Sequence, residues 1–387
     1  MTYSFSVYTS SHDIPAECQG SGLQNSSFCR GIDVVEKARV ENVNSYYVVT
    51  KENNKVACVA YFQLLSVKPL HFNLSGKKVQ QAALSMALRI VKPTLLVAGN
   101  LFRHDDAFLQ FADPDIKPEK KADLYMSTIN HLISFTNASG IFIKDVEEDI
   151  AAYIQQDKSY IQMEDDVSME MKIPQDWTSF KDYENALKHK YLQRCRKIRK
   201  SFEEITVSEF TTEDIATYSR EMEQLYLQVT NKQLVSMGIL NHRFFEELVS
   251  SLKESYKVCG FFYKDKLVAF SSAILHDGEY DMNYIGFDYA YNHSHNLYFN
   301  ILFHCLENAI ATGSRKLVLG RTAPEAKAIL GCHADYRFSF YKLRNVVVNW
   351  FYKMVAGYFR EQQGDSWKGR HPFKSSFYTI PKEVVEN

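Results

Sequence analysis

The sequence predicts a mixed α/β fold built from two similar domains. Three observations predict it: a pattern of hairpin, helix and buried strand that occurs twice, a length of 387 residues, and a change of charge near mid-chain. A domain commonly takes about 100–200 residues, so a chain of this length accommodates two. We therefore expect domains at residues 1–178 and 179–387, each with a mixed, mostly antiparallel sheet flanked by helices.

The first occurrence of the pattern begins with two apolar runs, 46–51 and 55–65, joined by a short polar turn. β-Strand residues on both sides of such a turn predict a hairpin. A helix is expected at Val79–Val91, since Pro93 then breaks the chain ahead of the apolar strand Thr94–Gly99.

The second occurrence begins with a similar hairpin over residues 257–275. It continues with a strand at Tyr280–Phe287, a helix at Leu297–Thr312 and a buried strand at Lys316–Gly320. Gly313 stands where a glycine commonly ends a helix. Two α/β domains of the same kind would account for this repetition.

Charge changes sign between the two halves. Residues 1–180 carry 17 basic and 22 acidic side chains, whereas residues 181–387 carry 28 and 24. Seven of the residues 188–200 are basic and none is acidic. Apolar residues three or four apart predict a helix over 184–205, through which the chain enters the second domain. Its basic faces are either solvated surface or a surface that attracts phosphate, nucleic acid or acidic lipid.

The composition excludes several classes of protein. A formal net charge of −1 speaks against a chain whose whole surface binds nucleic acid. No apolar run reaches the roughly 18 residues needed to span a bilayer, and the N-terminus has no signal-peptide pattern. The seven cysteines include no Cys-x-x-Cys pair, so we expect a cytoplasmic protein without a metal site.

Four stretches, considered in order, resemble a known family. They are Leu96–Asn100; Ile141–Asp145; Asp182–Tyr183 with Lys190–Lys197; and Leu319–Thr322 with Lys327, Leu330–Cys332, Tyr341 and Arg344–Asn345. Together they resemble the FemAB-like branch of the Gcn5-related N-acetyltransferase (GNAT) superfamily, in which two such domains lie in tandem. The resemblance covers nearly the whole chain and rests on the order of the motifs.

The resemblance implies an N-acyltransferase that moves an acyl or aminoacyl group onto a primary amine by direct transfer. The donor would be acyl-CoA or another acyl thioester, or an aminoacyl-tRNA as in FemAB-like relatives. The acceptor would be a small-molecule amine or a cell-envelope precursor, and peripheral contact with a membrane stays open. The expected donor loop, Tyr289–Asn296, departs from the superfamily because it contains no glycine.

Transfer requires a base for the amine, a proton for the leaving group and polarisation of the carbonyl. We expect Tyr284 to orient or protonate the leaving group, and Asp281 or Glu325 to act as base. Strand alternation predicts that Asp281 and Tyr284 face opposite sides of their sheet. An ordinary buried tyrosine and a surface carboxylate are the alternatives for these positions.

The binding residues are also assigned with the help of the resemblance. Donor or anion binding is expected from Arg321, Lys327, Asn296 and Arg344. Acceptor binding is expected from Asn100, Lys144, Asp145 and Arg194. A loop with local ion pairs is the alternative around Arg321. For the whole chain, the alternative is a non-catalytic ligand- or RNA-binding protein that retains a degenerate acetyltransferase fold.

Overall fold

The computed structural model describes residues 3–15, 18, 31–74, 78–103, 109–163, 167–345, 349 and 369–378. The strands are β1 Tyr3–Tyr8, β2 Val43–Glu52, β3 Lys55–Ser66, β4 Thr94–Ala98, β5 Leu109–Phe111, β6 Gly140–Val146, β7 Ile161–Met163, β8 Val167–Lys172, β9 Ile205–Glu209, β10 Tyr256–Tyr263, β11 Lys266–His276, β12 Glu279–Phe287, β13 Lys316–Gly320, β14 His333–Tyr336 and β15 Phe338–Leu343. The α-helices are α1 Val34–Lys37, α2 Lys78–Val91, α3 Pro118–Thr136, α4 Glu148–Ile154, α5 Phe180–Ala186, α6 His189–Lys200, α7 Thr212–Thr230, α8 His242–Leu252, α9 Tyr289–His295, α10 Leu297–Ala311, α11 Pro324–Leu330 and α12 Ser375–Tyr378.

The chain forms two compact units, each made of several chain segments. The first comprises Met1–Asp166, Thr230–Lys253 and Tyr336–Gly364; the second comprises Val167–Val229, Glu254–Asp335 and Asp365–Asn387. The sequence predicted two domains that are each continuous in the chain, residues 1–178 and 179–387, whereas each unit here combines three separate segments. Each unit contains one mixed, mostly antiparallel sheet flanked by helices, which confirms the predicted fold class.

The first unit is built on the sheet β1-β2-β3-β4-β6-β15-β7, with β5 paired to β3. Among the described pairings of this sheet, only β4 with β6 is parallel. Helix α3 connects these two strands and buries Tyr125, Ile129 and Leu132 in the core of the first unit. Because burial of this apolar stripe stabilises the helix, its tertiary packing fixes it on the sheet.

Strand β15 enters the first sheet from far along the chain. Its Tyr341 pairs with Phe142 of β6 on one side and with Ile161 of β7 on the other. The aliphatic run in β6 is therefore paired with a strand about 200 residues later in sequence. Period-two patterning identifies a strand but leaves its partner open, so this pairing had no signal in the sequence.

The second unit is built on the sheet β14-β8-β13-β12-β11-β10-β9. Helix α10 covers one face, where Leu297, Ile301 and Leu306 are fully buried. As predicted, Gly313 ends this helix in a left-handed conformation with φ 66°. The Gly313 N–H donates to Ile310 O, and the next N–H donates to Ala309 O, which closes the last turn.

The same connection occurs in both units. A strand, a long helix and a parallel strand follow one another as β4-α3-β6 and as β12-α10-β13. The repetition read from the sequence is therefore a repetition of architecture. It places the carboxyl ends of two parallel strands side by side in each sheet, where open α/β sheets commonly bind ligands.

Candidate active site

Strands β12 and β13 diverge at their carboxyl ends. They pair at only three positions, Glu279 with Lys316, Tyr280 with Leu317 and Asp281 with Val318. Strand β12 continues to Phe287, still paired with β11 on its other side. Beyond Asp281 the edge of β12 that faces β13 carries no ladder pairing. Its backbone groups can bind a ligand instead.

A β-bulge interrupts β12 directly after this point. The register of the β11–β12 pairing shifts between Ser271 and Ala273, so that Ser272 opposes both Asn283 and Tyr284. The Ser272 hydroxyl accepts a hydrogen bond from the Tyr284 N–H at 3.0 Å and donates to the Tyr284 carbonyl at 3.2 Å. The side chain thus supplies both hydrogen bonds that the disrupted ladder fails to give Tyr284.

The bulge makes the predicted facing of Asp281 and Tyr284 wrong. Tyr280 and Met282 lie in the core under α10, so Asp281 points to the opposite face of the sheet. After the bulge, Ile285 and Phe287 pack on that core, which puts Tyr284 on the same face as Asp281. One extra residue shifts the alternation by one position.

The Tyr284 side chain lies close to Tyr226, Tyr256 and Asp281. Its ring lies edge-on to Tyr226 of α7, with ring centres 5.7 Å apart. Burial raises the pKa of Tyr284 well above its usual 10, and the neighbouring Tyr226, Tyr256 and Asp281 raise it further. The phenol therefore stays protonated at neutral pH and can donate a proton or a hydrogen bond.

Helix α7 lies directly on the sheet at Gly286. A Cβ atom on Gly286 would lie 2.5 Å from the Tyr226 nitrogen and 2.6 Å from the Leu225 carbonyl carbon. Only glycine permits so close an approach of two backbones. Gly286 therefore sets the distance of α7 from the sheet and, with it, the position of Tyr226 beside Tyr284.

Lys327 places a buried amine at the end of β13. The residue lies in α11, is 1% exposed and donates from Nζ to the Gly320 carbonyl at 3.1 Å. Burial lowers the pKa of Lys327 from 10.5 to about 7, against a small opposing effect of Cys332. A buried ammonium with such a pKa gains much from a bound anion, because the anion replaces the water that burial removed.

Glu170 is a further carboxylate at this site that the sequence analysis missed. It pairs with Val318 across β8 and β13, is 4% exposed and lies 3.3 Å from the Lys316 ammonium. Asp281 flanks the same Val318 from β12, so the two acids share a face about 10 Å apart at the backbone. The alternation of polar and apolar residues in β8 could have indicated a strand with Glu170 on one face, but this strand lies in an acidic stretch that the sequence analysis did not interpret as a strand.

Arg321 and Glu325 follow β13 but differ in their surroundings. Arg321 comes directly after Gly320 and is half-buried. Glu325 is exposed on α11 and forms an ion pair of 2.5 Å with Arg370. The end of β13 thus has Arg321 and Lys327 close to it in the chain, whereas the Glu325 carboxylate is engaged at the surface.

The expected donor loop is a helix, so the prediction of a loop over Tyr289–Asn296 was wrong. Asp288 caps α9 by accepting from the Ala290 N–H at 3.0 Å. An N-capping aspartate followed by residues without glycine favours a helical turn. The Asn292 side chain then accepts from the Tyr298 N–H at 3.0 Å and satisfies one donor of the first turn of α10.

Asn296 separates α9 from α10. It is left-handed, with φ 46°, and its side-chain amide donates to the Ser201 hydroxyl at 2.9 Å. The residue predicted to bind an anion thus connects the start of α10 to the end of the basic helix α6. Asn300 strengthens this connection by donating to the Ile198 carbonyl at 3.1 Å.

Helix α6 packs through Cys195 and Ile198 and exposes its cations apart from Arg199, which is half-buried. The guanidinium of Arg194 lies 5.3 Å from the ring centre of Phe299, in the first turn of α10. Arg199 pairs with Glu307 at 2.9 Å. Arg194 was predicted as an acceptor contact, and the structure places it beside the N-terminus of α10.

In the first unit, three predicted acceptor residues are buried and hydrogen-bonded. The Asn100 side-chain oxygen accepts from Gln63 Nε2 at 3.1 Å and from the Phe102 N–H at 2.9 Å. The Lys144 ammonium donates to the Arg103 carbonyl at 2.6 Å and pairs with Asp145. Asn100, Lys144 and Asp145 are 8%, 7% and 2% exposed, so internal contacts hold them in place.

Arg344 belongs to the first unit, directly after β15. Its N–H donates to the Ser139 carbonyl at 2.9 Å, and its guanidinium donates to the Asn137 side chain. It was predicted together with Arg321 and Lys327, which lie in the second unit. The entry of β15 into the first sheet explains the difference.

Within the described residues, no group of histidine, cysteine and acidic side chains could hold a metal ion. The six described cysteines are buried free thiols, and Cys29 lies outside the described residues. Burial raises the pKa of Cys332 to about 12, so this thiol next to Lys327 stays protonated. None of the described helices is both long and apolar enough to cross a membrane.

Comparison with known proteins agrees with this architecture. Residues 189–328 match the sequence profile of the acetyltransferase (GNAT) domain. The crystal structure of FemX has a TM-score of 0.50 at 11% identity and covers 91% of this chain and 99% of its own. A tandem GNAT protein from the clavulanic acid biosynthesis pathway also has a TM-score of 0.50, at 9% identity, covering 88% and 98%.

No curated protein sequence matches the chain. The profile match spans the diverging strands, the helix between them and Lys327, while the two structures share the fold over nearly the whole length. The second half of the chain therefore matches the acetyltransferase (GNAT) domain over residues 189–328, and nearly the whole chain has the fold of FemX and of the tandem GNAT protein.

Proposed function

We propose that the chain is an N-acyltransferase that transfers an acyl or aminoacyl group to a primary amine at the point where β12 and β13 diverge. One observation carries the proposal. Beyond Asp281 the edge of β12 has no ladder partner on its β13 side, and the buried amine of Lys327 lies at the end of β13. An opening of this kind can receive an acyl carbonyl and stabilise the charge that develops on its oxygen.

The proposed reaction proceeds by direct transfer. The acceptor nitrogen attacks the donor carbonyl carbon, and the resulting oxyanion is stabilised by a backbone N–H of β12 and by the Lys327 ammonium. Asp281 accepts the proton that the amine loses, with Glu170 as the neighbouring carboxylate on the same face. The bond to the leaving group then breaks, and that group receives the proton of Tyr284. Positioning of both substrates supplies a large part of the rate.

For the donor, we propose that its phosphate groups bind near the first turn of α10. Arg194 lies beside this turn, and a helix N-terminus attracts anions through its free N–H groups. The Tyr298 N–H already donates to Asn292 and is not free to bind phosphate. We therefore expect side-chain cations to contribute more to phosphate binding here than they do beside a glycine-rich loop. Acyl-CoA or another acyl thioester and an aminoacyl-tRNA both fit this description, and the experiment below separates them.

For the acceptor, the resemblance suggests the amine of a small molecule or of a cell-envelope precursor. The predicted acceptor contacts Asn100, Lys144 and Asp145 stay a prediction, as does the donor role of Arg344. The buried thiols support the predicted cytoplasmic location, because free cysteines persist in a reducing compartment.

The test measures donor binding and transfer with the full chain. Acetyl-CoA, a longer acyl-CoA and a mixture of aminoacyl-tRNAs are titrated separately, and transfer to an amine-rich extract of cell-envelope precursors is followed by mass spectrometry. We expect saturable binding of one donor class, and transfer by Lys327→Ala slower by about a hundredfold, because the oxyanion that Lys327 stabilises forms only during transfer. The matched control is Lys257→Ala, which removes a half-buried lysine that pairs with Glu209 on the same sheet.

If no donor binds, or if both lysine variants transfer the acyl group equally fast, the reaction does not take place at Lys327 and the proposal fails. Donor binding without transfer to any amine would instead support a non-catalytic binding protein. Binding of uncharged tRNA with a steep dependence on salt, again without transfer, would support the RNA-binding alternative.

A further inference from the structure

An insertion distinguishes the first sheet from the second. The strands β11 and β12 are joined by the two residues Asp277 and Gly278, whereas the equivalent strands β3 and β4 are joined by residues 67–93. Helix α2 makes up half of this insertion, and none of its residues is buried. Since α2 adds no buried residue to its unit, the need for a core does not explain its apolar sequence.

Few polar contacts hold α2 against its own unit. The Gln81 side chain donates to the Phe72 carbonyl at 3.1 Å and accepts from the Leu74 N–H at 2.9 Å. Leu84 and Leu88 are half-buried on this side of the helix. The opposite side of α2 is open to solvent, so a partner can bind there without a change in the fold of the unit.

The open side of α2 is apolar. Val79, Met86 and Ile90 are 83%, 67% and 70% exposed, and their spacing of seven and four residues places them on one helix face. Leu70 in the preceding turn is exposed, and Leu234 and Val235 adjoin through the pairing of Phe72 with Val235. Seven of the eleven exposed large apolar side chains among the described residues lie on α2, on Leu70 or at 234–235. Such clustering marks an interaction surface.

The charge of the insertion identifies the kind of partner. Its basic residues are Lys68, Lys77, Lys78, Arg89 and Lys92, and residues 67–93 contain no acidic residue. Lys78 and Arg89 are exposed at one edge of the apolar face, and neither forms an ion pair within the described residues. A second copy of this surface would bring the Lys78 and Arg89 cations of both copies together, which opposes self-association. An apolar face bordered by cations fits an anionic lipid surface.

We propose that α2 and the exposed Leu70 beside it bind the surface of an anionic membrane, with α2 lying in the plane of the interface. Val79, Met86 and Ile90 enter the boundary between headgroups and acyl chains, and Lys78 and Arg89 contact lipid phosphates. This inference does not depend on the acyl transfer proposed above, because it concerns another unit and another surface.

The test is co-sedimentation of the full chain with large vesicles of phosphatidylcholine alone or with 30% phosphatidylglycerol. We expect binding to the anionic vesicles, weakened by 0.5 M salt, and little binding to the neutral ones. The double variant Met86→Gln/Ile90→Gln should bind about tenfold less, since two exposed side chains lose their apolar contact with the lipid. Lys78→Glu should weaken binding at least about fivefold, the amount attributed to one cation near such a surface.

Two matched controls keep the result interpretable. Phe135→Gln removes an exposed apolar residue of α3, and Lys55→Glu reverses an exposed lysine at the β2–β3 turn. Both should bind as the unchanged chain does. Equal binding by the Met86/Ile90 variant, or no binding to anionic vesicles, overturns the proposal. So does a dimer in light scattering that Met86→Gln/Ile90→Gln dissociates, because the partner would then be a second copy.

Discussion

Ser272 holds both backbone polar groups of Tyr284, accepting from its N–H at 3.0 Å and donating to its carbonyl at 3.2 Å. This one hydroxyl stabilises the bulge, and the bulge turns the Tyr284 ring to the face where Asp281 lies. The placement of a candidate acid and a candidate base on one face thus depends on a residue of the neighbouring strand.

Ser272→Ala should therefore reduce both stability and activity. A buried N–H left without a partner costs about 1–3 kcal/mol of the free energy of unfolding. We expect this loss in urea denaturation, together with a lower kcat for acyl transfer, because Tyr284 loses its fixed position. Ser271→Ala is the control: it lies one residue away, buried on the other face of β11, and should leave kcat unchanged. A Ser272→Ala enzyme with full kcat would contradict the role given to the bulge.

Gly286→Ala should displace α7 from the sheet. The added Cβ would meet the Phe270 ring and the Tyr226 nitrogen at 2.5 Å, and a helix backbone cannot yield as a flexible side chain does. Overpacking of this kind costs about 1–3 kcal/mol or more, so we expect a clear fall in the melting temperature. Gly369→Ala, where no atom lies within 4 Å of the new Cβ, should melt as the unchanged chain does. Equal melting temperatures would show that α7 moves without cost.

The sequence was sufficient to predict those parts of this architecture that local patterns determine. The hairpins, α10 with its terminal Gly313 and the strand Lys316–Gly320 each have a periodicity or a stop residue that identifies them. The bulge at Tyr284 has no such signal, since a serine in β11 reads as an ordinary strand residue. The facing of Asp281 and Tyr284 was accordingly predicted wrongly.

Long-range pairing limited the prediction in a second way. Residues 338–343, which form β15, fell within the predicted second domain 179–387, yet this strand pairs with β6. Arg344, which follows β15 directly, therefore lies in the first unit and not in the second. Glu170 was missed for a related reason: only the pairing of β8 with β13 brings it beside Val318 and two strands from Asp281.

Tyr284→Phe should lower activity while leaving the fold intact. Tyr284 keeps its proton because burial holds its pKa well above 10, and it can therefore serve as proton donor across the physiological range. Loss of a general acid costs roughly 10²–10⁴ in rate. We expect kcat to fall by about a hundredfold with donor affinity unchanged. Tyr226→Phe, which keeps the ring that packs on Tyr284, should lose much less; an equal loss in both variants would indicate packing instead of proton transfer.

Lys327 should make stability depend on pH in a way that identifies its burial. In the folded chain its pKa is about 7, whereas in the unfolded chain it returns to 10.5. Between these values the unfolded chain holds a proton that the folded chain lacks, so raising the pH favours folding. Below about pH 7 both forms are protonated and the dependence ends.

Lys327→Met removes this titration and keeps an apolar side chain of similar length. The free energy of unfolding, measured in urea at pH 6 to 10, should rise with pH in the unchanged chain relative to the variant, by a few kcal/mol over the range. Lys257→Met, at a half-buried position beside Glu209, should follow the unchanged chain until the pH approaches the pKa of an ordinary lysine. A constant difference between Lys327→Met and the unchanged chain would mean that the ammonium finds a counter-charge when the protein folds. Lys327 would then be fully protonated at neutral pH even when no ligand is bound. A bound anion would not be needed to raise its pKa.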